Sequence, residues 1–169
     1  MMQKRVLFVC LGNICRSPSA EAVMKQQVEE AGLSDRILVD SAGTGSWHVG
    51  EPADARMRAA GRRRGYDLTS ISRQVKAPED FDLFDYIVVM DNDNLSDMRR
   101  LDRHRQYQEK LTTMCSFCTV SDAKEVPDPY YGGPEGFNHV IDILEDACSG
   151  LLAKIKDDLA AAVDTDDES

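Results

Sequence analysis

Residues 4–20 read KRVLFVCLGNICRSPSA. Val6 to Val9 form a short apolar run, and Arg5–Val9 reads as a buried strand. Ser17-Pro18 then opens a helical stretch expected over 17–31. Proline suits a first turn, and Ala22, Val23, Gln26 and Val28 continue without a breaker as far as Gly32. A buried strand that runs through a short loop into a helix restricts the chain to few architectures.

The alternation continues. Residues 37–41 form a second short strand. A helix is expected over 54–64, closed by Gly65. DYIVVM at 85–90 is a strongly apolar strand. Residues 92–103 read as a helix that Asp91 or Asn92 can cap, and 110–117 as a further strand. From Phe137 the apolar positions Val140, Ile141, Leu144, Cys148, Leu151, Leu152, Ile155 and Leu159 follow a 3.6-residue period, which predicts a long amphipathic helix. Strands alternating with helices predict an α/β fold, a parallel twisted sheet with helices on both faces. No linker, repeat or low-complexity tract divides the 169 residues, which suit one domain. The domain is expected over 1–162, and the acidic stretch 163–169 as a disordered tail without a function of its own.

Composition narrows the function. A net charge of −10 argues against nucleic acid as a partner. The basic cluster Arg56, Arg58 and Arg62–Arg64 falls on a helical pattern and reads as a solvated face. No apolar run approaches the roughly 20 residues of a membrane span, and Val6–Val9 falls short of the roughly 7–15 of a signal-peptide core. Five cysteines, an odd number without framework spacing, fit a reducing compartment; a cytoplasmic protein is expected.

Ligands of parallel sheets bind beyond the carboxyl ends of the strands, beside helix N-termini. Cys10–Ser17 lies at such a place. The unpaired N–H groups and dipole of a helix start attract anions, and a short loop curled around that point adds further N–H groups. A thiol on the rim of this nest has its thiolate favoured. Arg16 adds a planar fork that matches two phosphate oxygens. Cys-x5-Arg spacing therefore places a nucleophile beneath a phosphorus atom and a guanidinium beside it. Ser17 can donate a hydrogen bond to the thiolate, which makes it a better leaving group. The G-x4-G-K-[ST] nucleotide loop is absent. Cleaving a phosphate ester also needs a general acid from another loop. The candidate is Asp128 in VPDPYYGG, residues 126–133, fixed on both sides by Pro127 and Pro129, with Gly132 and Gly133 allowing the turn. Tyr130 and Tyr131 follow and offer aromatic faces to an aryl substrate.

Together these residues resemble the low-molecular-weight protein tyrosine phosphatases. VCLGNICRSP at 9–18 is similar to that family's phosphate loop, and DSAGTGSW at 40–47, FDYIVVMD at 84–91 and DPYYGG at 128–133 match its later landmarks in order and spacing. The resemblance covers residues 4–155. It implies a single domain with a four-stranded parallel sheet and no metal or organic cofactor. It implies Cys10 as nucleophile through a phosphocysteine, Arg16 as phosphate clamp and Asp128 as general acid and then base. Gly12 and Asn13 belong to the loop, with Asn13, Ser17 and Ser41 supporting it. Leu11, Ile14, Cys15, Trp47, His48, Tyr130 and Tyr131 stand where the family builds its pocket. The partners implied are phosphotyrosine proteins or peptides, with inorganic phosphate as product and no nucleic acid or membrane; a monomer or weak self-association is expected. Some members place a histidine in the loop-support network where this sequence has Ser70.

The resemblance also implies that oxidation pairs Cys10 with Cys15 in a reversible disulfide that shields Cys10. Cys115-x2-Cys118, with Cys148 and His139 as further candidate ligands, is a single CxxC and a weak metal or redox signal. Cys148 belongs to the core stripe of the last helix, and His104 reads as solvated. Thiol-dependent arsenate reductases, with the same fold and a similar loop, are the alternative. They relay a disulfide through cysteines near the middle of the chain, whereas residues 16–114 here hold none. A catalytically dead phosphotyrosine-binding module is a third reading, against which the intact Cys10, Arg16 and Asp128 argue.

Overall fold

A computed structural model describes residues 2–130 and 132–167, with side chains as far as 162. Four strands, β1 (Lys4–Cys10), β2 (Ile37–Gly43), β3 (Tyr86–Val89) and β4 (Leu111–Thr113), form one sheet of order β2–β1–β3–β4. Every pairing is parallel, as the alternation predicts. The helices are α1 (Arg16–Glu30), α2 (Ala55–Arg63), α3 (Glu79–Leu83), α4 (Asn92–Leu101) and α5 (Pro134–Asp167).

The central position of β1 explains its uninterrupted apolar run. Val6 and Phe8 join Val88 and Met90 in a core formed with α1, α2 and α5. Leu7 and Val9 join Ile87 and Val89 on the other face, against Phe81, Phe84 and Met98. All four β1 side chains are fully buried, and each contributes roughly 1.5–3 kcal/mol of transfer free energy. The predicted stripe of α5, from Phe137 to Leu159, is buried throughout. Gly150 lets this helix approach the short 3₁₀ turn Met114–Phe117, since a Cβ there would lie 1.9 Å from the carbonyl oxygen of Phe117.

Several boundaries differ from the sequence expectation. The strand expected over 110–117 keeps ladder pairing only at Leu111–Thr113 and then tightens into the 3₁₀ turn. Helix α3 was not expected; five residues are too few to display a period. Asp54 is the cap of α2 rather than its first residue, accepting from the N–H groups of Arg56 and Met57. Helix α5 continues past residue 162 to Asp167, into the stretch expected as tail; residues 168 and 169 lie outside the described residues. Among the described residues no helix is long and apolar enough to cross a membrane.

The register fixes where a site can form. Cys10 pairs with Gly43, and Val9 with Val89. The residues just after β1, β2 and β3 therefore emerge side by side at one edge. Loop 11–15, Thr44 and Asp91 meet there, beside the start of α1.

Candidate active site

The loop after β1 is held open from outside. Its carbonyls accept hydrogen bonds from neighbouring segments: Cys10 O from Thr44 N (3.0 Å), Leu11 O from Gly45 N (2.9 Å) and Ile14 O from Asp54 N (2.8 Å). Gly12 O accepts from the hydroxyl of Ser72 (3.0 Å). Gly43 permits this approach, because a Cβ there would sit 2.8 Å from Leu11 O. Asn13 turns the loop with φ 56°, a left-handed conformation that asparagine tolerates. Among the described residues, the backbone N–H groups of 11–15 donate no hydrogen bond to the protein. With its carbonyls engaged outside, the loop offers a concave set of free donors, a nest for an anion.

Cys10, only 3% exposed, lies at the base of this bowl. Its Sγ is 3.0 Å from Ser17 Oγ, and Asn13 Nδ2 donates to the same oxygen at 2.7 Å. A hydroxyl that accepts from Asn13 has its own proton free for the sulfur, so the pair orients Ser17 as a donor to Cys10. Asn13 Oδ1 in turn accepts from Arg73 N at 3.0 Å. The Arg73 guanidinium is anchored on Asp40 and Asp80.

Arg16 is the first residue of α1 and is equally buried. One of its terminal nitrogens donates to Asp91 Oδ2 at 2.5 Å and to Val126 O at 3.0 Å. The other lies 3.8 Å from Asp128 Oδ2. Burial works against the charged guanidinium, but the charges of Cys10, Asp91 and Asp128 outweigh it and raise its pKa. Asp91 also caps α4, accepting from Asn94 N at 2.8 Å, so one carboxylate fixes both a helix start and the Arg16 fork. Sequence reasoning treated Asp91 only as a cap. The cue was its place at the end of β3, beside β1 in the sheet.

Cys10, Leu11, Gly12, Ile14, Cys15, Arg16, Trp47, His48, Asp128 and Tyr130 line one cavity of about 310 Å³, so ten residues expected at the site converge around it. Asn13 and Ser17 sit behind the loop as its support. Tyr131 lies outside the described residues. Asp128 Oδ1 accepts from Tyr130 N at 3.0 Å, a local turn that aims the carboxylate into the cavity. Trp47, 71% exposed, stands at the mouth. His48 contacts Glu51 at 2.5 Å, and its ring is 6.3 Å from that of Tyr130.

Three expectations need correction. Ser41 does not bond the loop: its hydroxyl donates to Glu21 Oε1 at 2.6 Å. The serine that reaches the loop from the 70–74 segment is Ser72, buried over Gly12, rather than Ser70. The basic cluster is not one solvated face. Arg64 ties α2 to Asp142 and Glu145 of α5, and Arg58 Nε donates to Ala53 O. Arg56 lies over the rings of Tyr130 (5.3 Å) and Phe137 (4.9 Å). Cys115 and Cys118, a weak signal in the sequence, interact with each other away from the cavity, and burial pushes the Cys118 thiol up to about 12. Among the described residues no three His, Cys, Asp or Glu side chains are grouped to hold a metal.

Residues 5–161 match the family model described as low molecular weight phosphotyrosine protein phosphatase. A low molecular weight protein-tyrosine-phosphatase of Streptomyces coelicolor is 42% identical over 158 residues, covering 92% of this chain and 96% of that one. The human low molecular weight phosphotyrosine protein phosphatase is 38% identical over 152 residues, 89% and 95% of the two chains. Among solved structures, a protein tyrosine phosphatase of Entamoeba histolytica with Hepes in its active site superposes with TM-score 0.88 at 54% identity, covering 92% of this chain and 98% of that one. YfkJ of Bacillus subtilis gives TM-score 0.85 at 38% identity, covering 94% and 98%.

Proposed function

Because the chain belongs to the low molecular weight phosphotyrosine protein phosphatase family, and so is a hydrolase of phosphomonoesters, we propose that it hydrolyses phosphotyrosine in proteins through a phosphocysteine. The observation that carries this reading is the convergence of Cys10, Arg16 and Asp128 on one cavity floored by unpaired loop N–H groups.

The phosphate oxygens take the loop N–H groups and the Arg16 nitrogen that faces Asp128, which aligns phosphorus over Cys10. The sulfur attacks, the bond from phosphorus to the tyrosyl oxygen breaks, and Asp128 gives that oxygen a proton. The Asp128 carboxylate then takes a proton from water, whose oxygen attacks phosphorus. The S–P bond breaks, the thiolate leaves towards the hydroxyl of Ser17, and inorganic phosphate departs. Leu11, Ile14, Trp47, His48 and Tyr130 supply the aryl-binding walls and rim. No cofactor enters these steps. We assign the enzyme to the cytoplasm, as a monomer or weakly self-associating.

Cys15 lines the same cavity, and burial, with Asp54 next, pushes its thiol up. Under peroxide the Cys10 sulfenic acid condenses with the Cys15 thiol, forming the disulfide and releasing water.

Hydrolysis of a phosphotyrosine peptide, 4-nitrophenyl phosphate and phenyl phosphate by wild type, Cys10→Ser and Asp128→Asn tests the mechanism. Cys10→Ser should be inactive. Asp128→Asn should lose about 10²–10⁴ in kcat, most on phenyl phosphate, whose leaving group needs the proton most. Full activity of Cys10→Ser, or an equal loss on both aryl esters, refutes the assignment.

A further inference from the structure

Next to the active site lies a second groove of about 330 Å³, between α2 and the start of α5. Its floor is apolar, formed by Ala59, Ala60, Pro134 and Phe137, and Arg56 and Arg63 stand at its edge. The two cavities share a wall. The Arg56 guanidinium lies 5.3 Å from the ring centroid of Tyr130, which lines the active-site cavity, and 4.9 Å from that of Phe137, which floors the groove. Arg56 is held in this place by Asp54, Nε to Oδ1 at 3.2 Å and a terminal nitrogen to Oδ2 at 3.0 Å. Arg63, two turns further along the same helix, is exposed and, among the described residues, has no ion pair.

Helix α2, sequence ARMRAAGRR, carries four arginines and no acid, in a chain of net charge −10. Most of this surface repels an acidic ligand; the groove beside the catalytic cavity attracts one. Screening over about 8 Å at physiological ionic strength lets the local charge decide. An extended peptide advances about 3.3–3.6 Å per residue. A chain with its phosphotyrosine over Cys10 that leaves past Tyr130 therefore brings a side chain two to four residues away over the groove.

We infer that this groove is a substrate subsite, in which Arg63 and Arg56 take an acidic side chain two to four residues from the phosphotyrosine and Phe137, Pro134 and the alanines take an apolar neighbour. The inference rests on the phosphatase reading and adds the kind of sequence the enzyme prefers.

The test uses phosphotyrosine peptides with Glu-Glu, Gln-Gln or Lys-Lys two to four residues before or after the phosphotyrosine, with free phosphotyrosine as the reference. On one side of the phosphotyrosine, wild type should show a KM about three- to tenfold lower for Glu-Glu than for Lys-Lys, with kcat unchanged, the scale of two exposed ion pairs. The preference should shrink at 1 M salt. Arg63→Glu should invert the order and favour Lys-Lys, an outcome that general loss of folding does not produce. Equal KM values on both sides, or a preference that Arg63→Glu leaves intact, overturns the subsite while the phosphatase reading stands. Failure of wild type to hydrolyse free phosphotyrosine overturns both.

Discussion

Substituting Asp91 by asparagine separates the two jobs of one carboxylate. Asparagine serves as well as aspartate at a helix N-cap, so the bond from Asn94 N to residue 91 survives and the start of α4 is kept. The ion pair with Arg16 does not survive. Arg16 is 3% exposed and keeps the carbonyl of Val126 as a partner. Removing one partner of a buried pair costs about 3–5 kcal/mol when the other charge is left alone. With Val126 O and the more distant Asp128 remaining, about 2–3 kcal/mol is the reasonable scale. For a chain of this length that lowers the melting temperature by about 4–12 °C. The effect on turnover is separate. A fork no longer fixed at 2.5 Å can swing by an ångström, and misplacement of that size costs about 10²-fold. Steady-state kinetics on 4-nitrophenyl phosphate well below the new melting temperature should show kcat reduced about 10- to 100-fold and inhibition by inorganic phosphate weakened. A variant that loses stability but keeps kcat within twofold refutes the positioning role. Tighter phosphate binding with kcat intact would show instead that Asp91 competes with the phosphate for Arg16.

Three further outcomes follow from close approaches and charge. Gly45→Ala would put a Cβ 1.9 Å from Cζ3 of Trp47, an exposed ring that can leave without disturbing the fold. Melting should be unchanged and KM for a phosphotyrosine peptide raised about two- to tenfold, the scale of one aromatic contact; an unchanged KM refutes a substrate role for Trp47. Gly150→Ala meets the backbone oxygen of Phe117 instead, and backbone cannot step aside. Urea denaturation should show a loss of about 3 kcal/mol or more despite the gain in helix propensity, and a stabilised variant refutes the packing of α5 on the 3₁₀ turn. Asp146 accepts from the N–H groups of Ser121, Thr119 and Val120, which hold its carboxyl down at about 2. A depressed carboxyl stabilises the fold above its unfolded pKa near 4, and that contribution fades as pH falls towards 2. Asp146→Asn should cost about 1 kcal/mol at pH 7, discounted because the group is partly exposed, and should lose less than wild type between pH 4 and 2. Parallel acid-unfolding curves refute the role.

The fold was legible where periodicity had room to show. β1 and α5 declare themselves through a run and a stripe that burial on both faces, or on one, demands. Helix α3 and the end of β4 were not legible. Five residues of EDFDL and the turn MCSF carry no complete period, and their geometry follows from what they pack against: Phe81 enters the core beneath β1 and β3, while the MCSF turn meets Gly150.

The site divides along a similar line. Cys10, Arg16, Ser17 and Asp128 were readable because their chemistry is local: a spacing within one loop, or a carboxylate clamped between prolines. Asp91, Ser72 and Arg73 act through places that only assembly of the sheet creates. Asp91 reaches Arg16 because β3 lies beside β1 in register, with Val9 opposite Val89. Ser72 and Arg73 reach the loop because their segment bonds the end of β2 at Gly43, from both its N–H and its carbonyl. Ser41 shows the converse. The sequence puts a hydroxyl in a familiar position, yet the structure gives it to Glu21, so the residue type was right for a network and the geometry chose another partner. A loop whose donors must stay free for an anion cannot supply its own support. It has to be held by its carbonyls and by Asn13, and the groups that hold it come from other strands, where spacing in the sequence carries no trace of them.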